Sequence, residues 1–304
     1  MKVAELGRKR IAARLAHGGL AFRITPFSVR VKSGIAAVAD GISLCYADFE
    51  LLPDGGFIDF HMRLDPPAGL RRWIKPQVVF HFDTAQPFYP LPYAEALPFL
   101  EWSLNWCIAQ TAQQYVVVHS AVVERGGHAA ILPGPTGSGK STLCAGLVMA
   151  GWRLLSDELA LIDAATGLVT PVPRPISLKN ESIDLIRAAY PGAVFGPVAP
   201  DTRKGRLAHL RPPADSVARA GELAQLRWIV LPNYRAGSRA AFTPCPKGPA
   251  FMRLAGDAFN YAALGELAFH DLVRTVDRCE CLNFQHGRLD EAVACFDRSL
   301  AGHP

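Results

Sequence analysis

Gly134-Pro135-Thr136-Gly137-Ser138-Gly139-Lys140-Ser141-Thr142 fills every fixed position of the pattern G-x-x-x-x-G-K-[ST]. Before it, His128-Ala129-Ala130-Ile131-Leu132 reads as a short apolar strand, and after it Ser141 to Ala150 reads as a helix. Strand, glycine loop and helix in that order suit a phosphate-binding loop. The glycines let successive backbone N–H groups turn onto phosphate oxygens, and the helix that begins there adds the positive end of its dipole. The expected ligand is a nucleoside triphosphate. Lys140 would neutralise the β- and γ-phosphates, Ser141 would offer its hydroxyl to Mg²⁺, which prefers oxygen ligands, and Thr142 falls on the next face of the helix.

The chain has 304 residues, 50% hydrophobic and 19% charged, which describes a globular protein with a substantial core and excludes a disordered one. The net charge of +5 is mild and scattered. Arg8-Lys9-Arg10 reads equally as a solvated helix face or a contact, and no nucleic-acid partner is expected. The seven cysteines are odd in number, and no charged n-region is followed by an apolar stretch, so reduced thiols and a cytoplasmic location are expected. Cys279-Glu280-Cys281 lacks further ligands at zinc-site spacing. No apolar run approaches the ~20 residues of a spanning helix, so no membrane partner is expected.

Along the chain, Met1 to Gly18 reads as a short surface helix. Phe22 to about Phe82 carries short β-like runs, such as Phe27 to Val31 and Phe57 to Phe60, between Pro- and Gly-containing turns. Leu64 to Gly69 and Pro87 to Pro92 read as loops. A β-rich domain over 1–93 and an α/β domain over 94–304 are the expected organisation. In the second, Ala94 to Gln114 reads as an amphipathic helix, and Tyr115 to Val123 reads as one strand turning at Gly126-Gly127 into the strand before the loop. After the loop helix, Gly151 ends the helical pattern. Trp152 to Leu155 then reads as a strand, followed by Ser156-Asp157-Glu158 and a second β run over Leu159 to Asp163.

The acids at 157 and 158 come only seventeen positions after Lys140, in the element next after the loop helix. An acid so placed can hold Mg²⁺ opposite Ser141 or act on a nucleophile, and two adjacent acids permit both roles. Alternation along a strand would point Asp157 and Glu158 to opposite faces unless the strand twists or bulges there.

In combination these residues resemble the HPr kinase/phosphorylase family and its wider set of HPr-kinase-like serine kinases. The resemblance lies in His119 within His119-Ser120-Ala121-Val122, then Gly134 to Thr142, then Gly151-Trp152-Arg153-Leu154-Leu155-Ser156-Asp157-Glu158, and it covers roughly residues 115 to 165. Thr202 to His209 and Asn260 correspond more loosely. The resemblance implies a phosphate-loop kinase domain with a mixed β-sheet, ATP and Mg²⁺ as ligands, and phosphoryl transfer to a hydroxyl, usually of a serine. Asp157 would be the general base, Glu158 would assist the metal, and His119 would orient the acid or contact the transferring phosphate. The two acids can exchange these roles. The family's pair is normally two aspartates, and its C-terminal phosphorylase motif is not recognisable here. The resemblance therefore points to a relative acting on another protein, peptide or small hydroxyl substrate, and it implies a homo-oligomer.

Lys179, Lys204 and Arg206, with His209, are cations that could reach substrate or phosphate, and Arg253 is a further arginine candidate. A non-catalytic ATP-binding regulatory module is the alternative function. Asp157 separates the two, since a switch needs a metal acid but no base for an acceptor hydroxyl.

Overall fold

The computed structural model describes residues 1–53, 55–67, 74–163 and 165–300. Ala68 and Gly69 of the expected loop lie outside them. The fold is mixed α/β. In chain order the elements are α1 (Gly7–His17), β1 (Leu20–Ile24), β2 (Phe27–Ser33), α2 (Ala36–Cys45), β3 (Phe60–Asp65), β4 (Gln77–Phe82), β5 (Leu91–Pro92) and α3 (Ala96–Thr111). Then come β6 (Tyr115–Val118), β7 (Ser120–Arg125), β8 (His128–Pro133), α4 (Lys140–Met149), β9 (Arg153–Ser156), β10 (Ala160–Asp163) and β11 (Leu168–Thr170). They are followed by β12 (Ile176–Lys179), α5 (Glu181–Ala189), β13 (Ala199–Thr202), β14 (Gly205–Leu210) and α6 (Ala214–Ala218). The last are β15 (Ala224–Tyr234), β16 (Ala241–Pro244), α7 (Lys247–Asp257), α8 (Tyr261–Leu264), α9 (Glu266–Arg278), β17 (Glu280–His286) and α10 (Leu289–Ser299).

Two compact units divide the chain, Met1–Ile108 with Ser177–Ala218, and Ala109–Ile176 with Arg219–Pro304. The sequence predicts one boundary, at 93/94. A returning segment such as 177–218 carries no composition shift that would reveal it.

The first unit holds a five-stranded sheet in the order β1-β2-β3-β4-β5 and a three-stranded sheet β12-β14-β13. Helices share this unit with the strands, so it is less purely β than the short runs suggested. Ile11 and Leu15 of α1 are fully buried, which makes that helix part of the core and not only a surface element. Phe57 and Ile58 precede β3 and do not join it.

The second unit is built on a nine-stranded sheet running β6-β10-β11-β15-β8-β7-β9, with β17 also pairing β15 and β16 pairing β17. Strands β7 and β8 are buried on both faces, which is why Ala121 to Val123 and Ala129 to Leu132 read as unbroken apolar runs. The Gly126-Gly127 turn joins them into the expected antiparallel hairpin, in register Ser120 to Pro133 through Arg125 to His128. Ala250 and Leu254 of α7 and Leu272 and Val276 of α9 pack on one sheet face, against Val118, Val122, Ile131 and Ile229. Phe284, opposite in parity to Cys281 of that core, faces the other way and meets Phe296 of α10 edge-on at 4.9 Å. There α4 and α10 press together closely. A Cβ on Gly146 would lie 2.5 Å from the Leu289 side chain, which would have to shift to admit it.

Candidate functional site

Strand direction gathers the candidates at one edge of the second unit's sheet. β15 runs parallel to both β8 and β17. β9 runs the same way, since both β8 and β9 are antiparallel to β7. The carboxyl ends of β8, β9, β15 and β17 therefore share an edge, as does the amino end of β7, and such an edge is where open α/β sheets bind ligands. The glycine loop follows β8, Asp157 and Glu158 follow β9, and His119 precedes β7.

In the loop, Gly137 and Gly139 have φ of 89° and 90°, the left-handed region that only glycine enters cheaply. A Cβ on Gly139 would also sit 3.1 Å from Cβ of Tyr234 and 3.3 Å from Nε2 of His286. The backbone is clamped there, with the Tyr234 N–H donating to the Ser138 carbonyl at 3.2 Å. Helix α4 starts at Lys140, so the N–H groups of Lys140, Ser141 and Thr142 have no acceptor within the helix. Lys140 is 9% exposed as a residue, and its ammonium donates to the carbonyls of Gly134 and of Pro135, the latter at 3.1 Å. Ser138 Oγ is buried with no protein hydrogen-bond partner. A cation, the amides of a helix start and an orphaned hydroxyl inside a glycine cradle are the donor set a phosphate group takes.

Beside the loop opens a cleft of about 610 Å³, within the range of small-ligand sites. It is lined by the loop residues Pro133 to Ser138, by residues of β15, β16 and β17, and by Arg253 of α7.

His119 does not lie within a strand. The chain bends there because β6 pairs with β10 while β7 pairs with β8 and β9, so the expected single strand changes partners at that residue. Its N–H donates to the Asp257 carbonyl at 2.8 Å, its Nδ1 lies 3.6 Å from Oε2 of Glu158, and its ring meets Phe259 edge-on. Asp157 and Glu158 likewise fall in the bend between β9 and β10 and not on a strand edge, so strand alternation does not force them apart. The Ser120 N–H donates to the Glu158 carbonyl at 3.3 Å, tying that bend to β7. Asp157 is 5% exposed. Burial, with the Asp157 charge adding to it, pushes the Cys144 thiol on α4 well above its ordinary range, which puts this carboxylate beside the loop helix.

Asp257, which sequence reading missed, joins these parts. Its Oδ2 accepts the Gly134 N–H at 3.1 Å, its Oδ1 lies 3.5 Å from the Arg253 guanidinium, and its carbonyl holds the His119 N–H. No local pattern marks it, because its partners are far away in sequence.

Of the secondary candidates, Arg253 lines the cleft. Lys179, Lys204 and Arg206 belong to the first unit. There Lys204 stands over the Trp102 ring at 5.5 Å and Arg206 pairs with Asp184 at 2.8 Å. His209 is 1% exposed on β14 and is no part of a surface loop. Asn260 is a backbone clamp, accepting the Val117 N–H at 3.0 Å and donating to the Tyr115 carbonyl at 2.8 Å, so it secures the edge strand β6. All seven cysteines are free and buried. Among the described residues no three His, Cys, Asp or Glu side chains form a metal-binding group, and no helix is long and apolar enough to cross a membrane.

Among known proteins, no family model and no curated sequence matches the chain.

Proposed function

We propose that the protein is an ATP-dependent kinase of the HPr-kinase-like type, transferring the γ-phosphoryl group to a serine-type hydroxyl of a protein, peptide or small molecule. The observation that carries this reading is the link through Asp257. One residue fixes the amide that opens the glycine loop and the backbone of His119, whose ring faces the Glu158 carboxylate. A cradle suited to phosphate and an acid–histidine group thus share one rigid frame, and phosphoryl transfer depends on such positioning and on charge neutralisation more than on covalent help.

Lys140 and the first-turn amides of α4 hold the phosphates. The acceptor oxygen attacks the γ-phosphorus, the bond to the β,γ-bridging oxygen breaks, ADP leaves, and the acceptor proton passes to Asp157. Glu158, 3.6 Å from His119, completes the acidic side of the site. Mg²⁺ supplies neutralisation of the phosphate charge. Ser141 and Glu158 or Asp157 would hold it. Free thiols throughout support a reducing compartment such as the cytoplasm.

The test is incubation with γ-labelled ATP and Mg²⁺ alongside lysate, serine-containing proteins and peptides, and free serine, comparing wild type with Asp157→Asn. Label on an acceptor with wild type alone supports the kinase. Nucleotide bound by both, with no label transferred, defeats it in favour of a regulatory nucleotide-binding module. If Asp157→Asn weakens Mg·ATP binding while transfer chemistry persists, Asp157 is the metal acid and Glu158 the base.

A further inference from the structure

The acidic group and the open cleft flank the loop strand on opposite sides. Asp157 and Glu158 follow β9, which lies beyond β7 on one side of β8. The cleft extends the other way, over β15, β17 and β16. A triphosphate seated in the glycine loop has its γ-end and its nucleoside on opposite sides of the β-phosphate. Turning the γ-phosphate toward the acids therefore sends the nucleoside into the cleft.

The strand residues that line the cleft have the chemistry for a base. Asn233, Gln285 and Ala241 are neighbours across three strands, and Leu231, Asn283 and Thr243 form the adjoining row. Residues two apart on a strand share a face, so these rows make one patch of about 10 by 7 Å, enough for a purine and part of its ribose. The patch carries amides, a hydroxyl and small apolar groups, with no charge. An amide side chain offers donor and acceptor together and pairs with the adenine amino and N7 edge. The Asn283 amide nitrogen is directed to the Pro244 carbonyl at 3.3 Å, which leaves its oxygen as the acceptor.

We infer that this cleft is the nucleoside subsite, with Asn233, Asn283 and Gln285 reading an adenine-type base, and that the hydroxyl acceptor enters from the opposite flank, past His119. The inference rests on the triphosphate reading of the loop given above. It makes the amides determinants of nucleotide choice and leaves the Lys140 side of the site indifferent to the base.

Titration calorimetry with Mg·ATP and, separately, Mg·tripolyphosphate tests this on wild type, the double variant Asn233→Ala/Gln285→Ala, and Ala241→Trp, which fills the patch from an exposed position on β16. Both variants should bind ATP about tenfold more weakly while tripolyphosphate affinity stays within about twofold. ATP affinity unchanged in both variants overturns the subsite. So does a wild type that binds ATP no better than tripolyphosphate, although the loop's phosphate reading then survives. A wild type that binds neither ligand removes the triphosphate reading itself, and the subsite with it.

Discussion

Arg153→Met should destabilise the second unit severely. Arg153 and Glu124 have side chains 4% and 3% exposed, and the guanidinium Nε donates to Glu124 Oε2. Its Nη1 also donates to the carbonyls of Arg219 and Glu222, each at 3.0 Å, while Glu124 Oε1 accepts the Gly127 N–H at 2.5 Å in the turn between β7 and β8. Methionine restores most of the volume and none of the charge, so the buried carboxylate keeps only the half-exposed Arg219 guanidinium, 3.9 Å from its Oε2. Stranding one member of a buried pair costs about 3–5 kcal/mol. At about 2–4 °C per kcal/mol for a unit of this size, the melting temperature should fall by about 6–20 °C in scanning calorimetry. Glu124→Gln added to Arg153→Met removes the stranded charge and should recover more than half of the loss. A single variant costing under about 1 kcal/mol, or a double variant no more stable than the single, refutes the argument. The pair joins the far ends of β7 and β9, whose opposite ends carry His119 and Asp157, so nucleotide binding should weaken in parallel with stability.

Gly139→Ala must place a side chain at φ of 90° against Tyr234 and His286, and it should abolish detectable nucleotide binding in calorimetry while the far-ultraviolet spectrum is unchanged. Burial holds the His286 imidazole below its ordinary pKa, so the folded state favours the neutral ring. The stability this contributes is complete above the unfolded pKa of about 6.5 and is lost as pH falls through the lower folded value, a slope that urea titrations should show and His286→Leu should lack. Burial raises Cys45 and Cys279 to about 12, so at pH 8 neither should react with iodoacetamide in the native protein, and both should react in denaturant. Lys140→Ala should keep the wild-type melting temperature within about 3 °C in the absence of nucleotide and lose all label transfer; retained transfer would contradict the assigned role of the ammonium.

The parts of the site that were legible were local. Gly134 to Thr142 announce loop and helix because the needed backbone angles demand glycine, and the β7–β8 hairpin follows from apolar runs around Gly126-Gly127. What escaped was non-local. The break at His119 arises from a change of strand partner that no residue near it encodes. Asp257 reaches Gly134 across 123 positions, and Asn260 spends both ends of its amide on β6, so neither has a sequence signature of its role. The amides at 233, 283 and 285 look like ordinary exposed strand residues until the register of three strands sets them side by side. His209 read as a surface cation because polarity alone does not report that the first unit buries it.

Order of synthesis gives the parallel pairing of β17 with β15 a further meaning. The glycine loop leaves the ribosome well before residues Glu280–His286, which must return to lie against a strand finished at Tyr234. Until they do, that side of β15 over Trp228–Tyr234 is an unprotected strand edge, the kind that recruits other chains. Pairing between segments so distant in sequence is also slow to form. A nascent chain halted before His286 thus carries the glycine loop without the ring that packs against Gly139 and without the strand beside β15, and exposes an edge at which a second chain can pair.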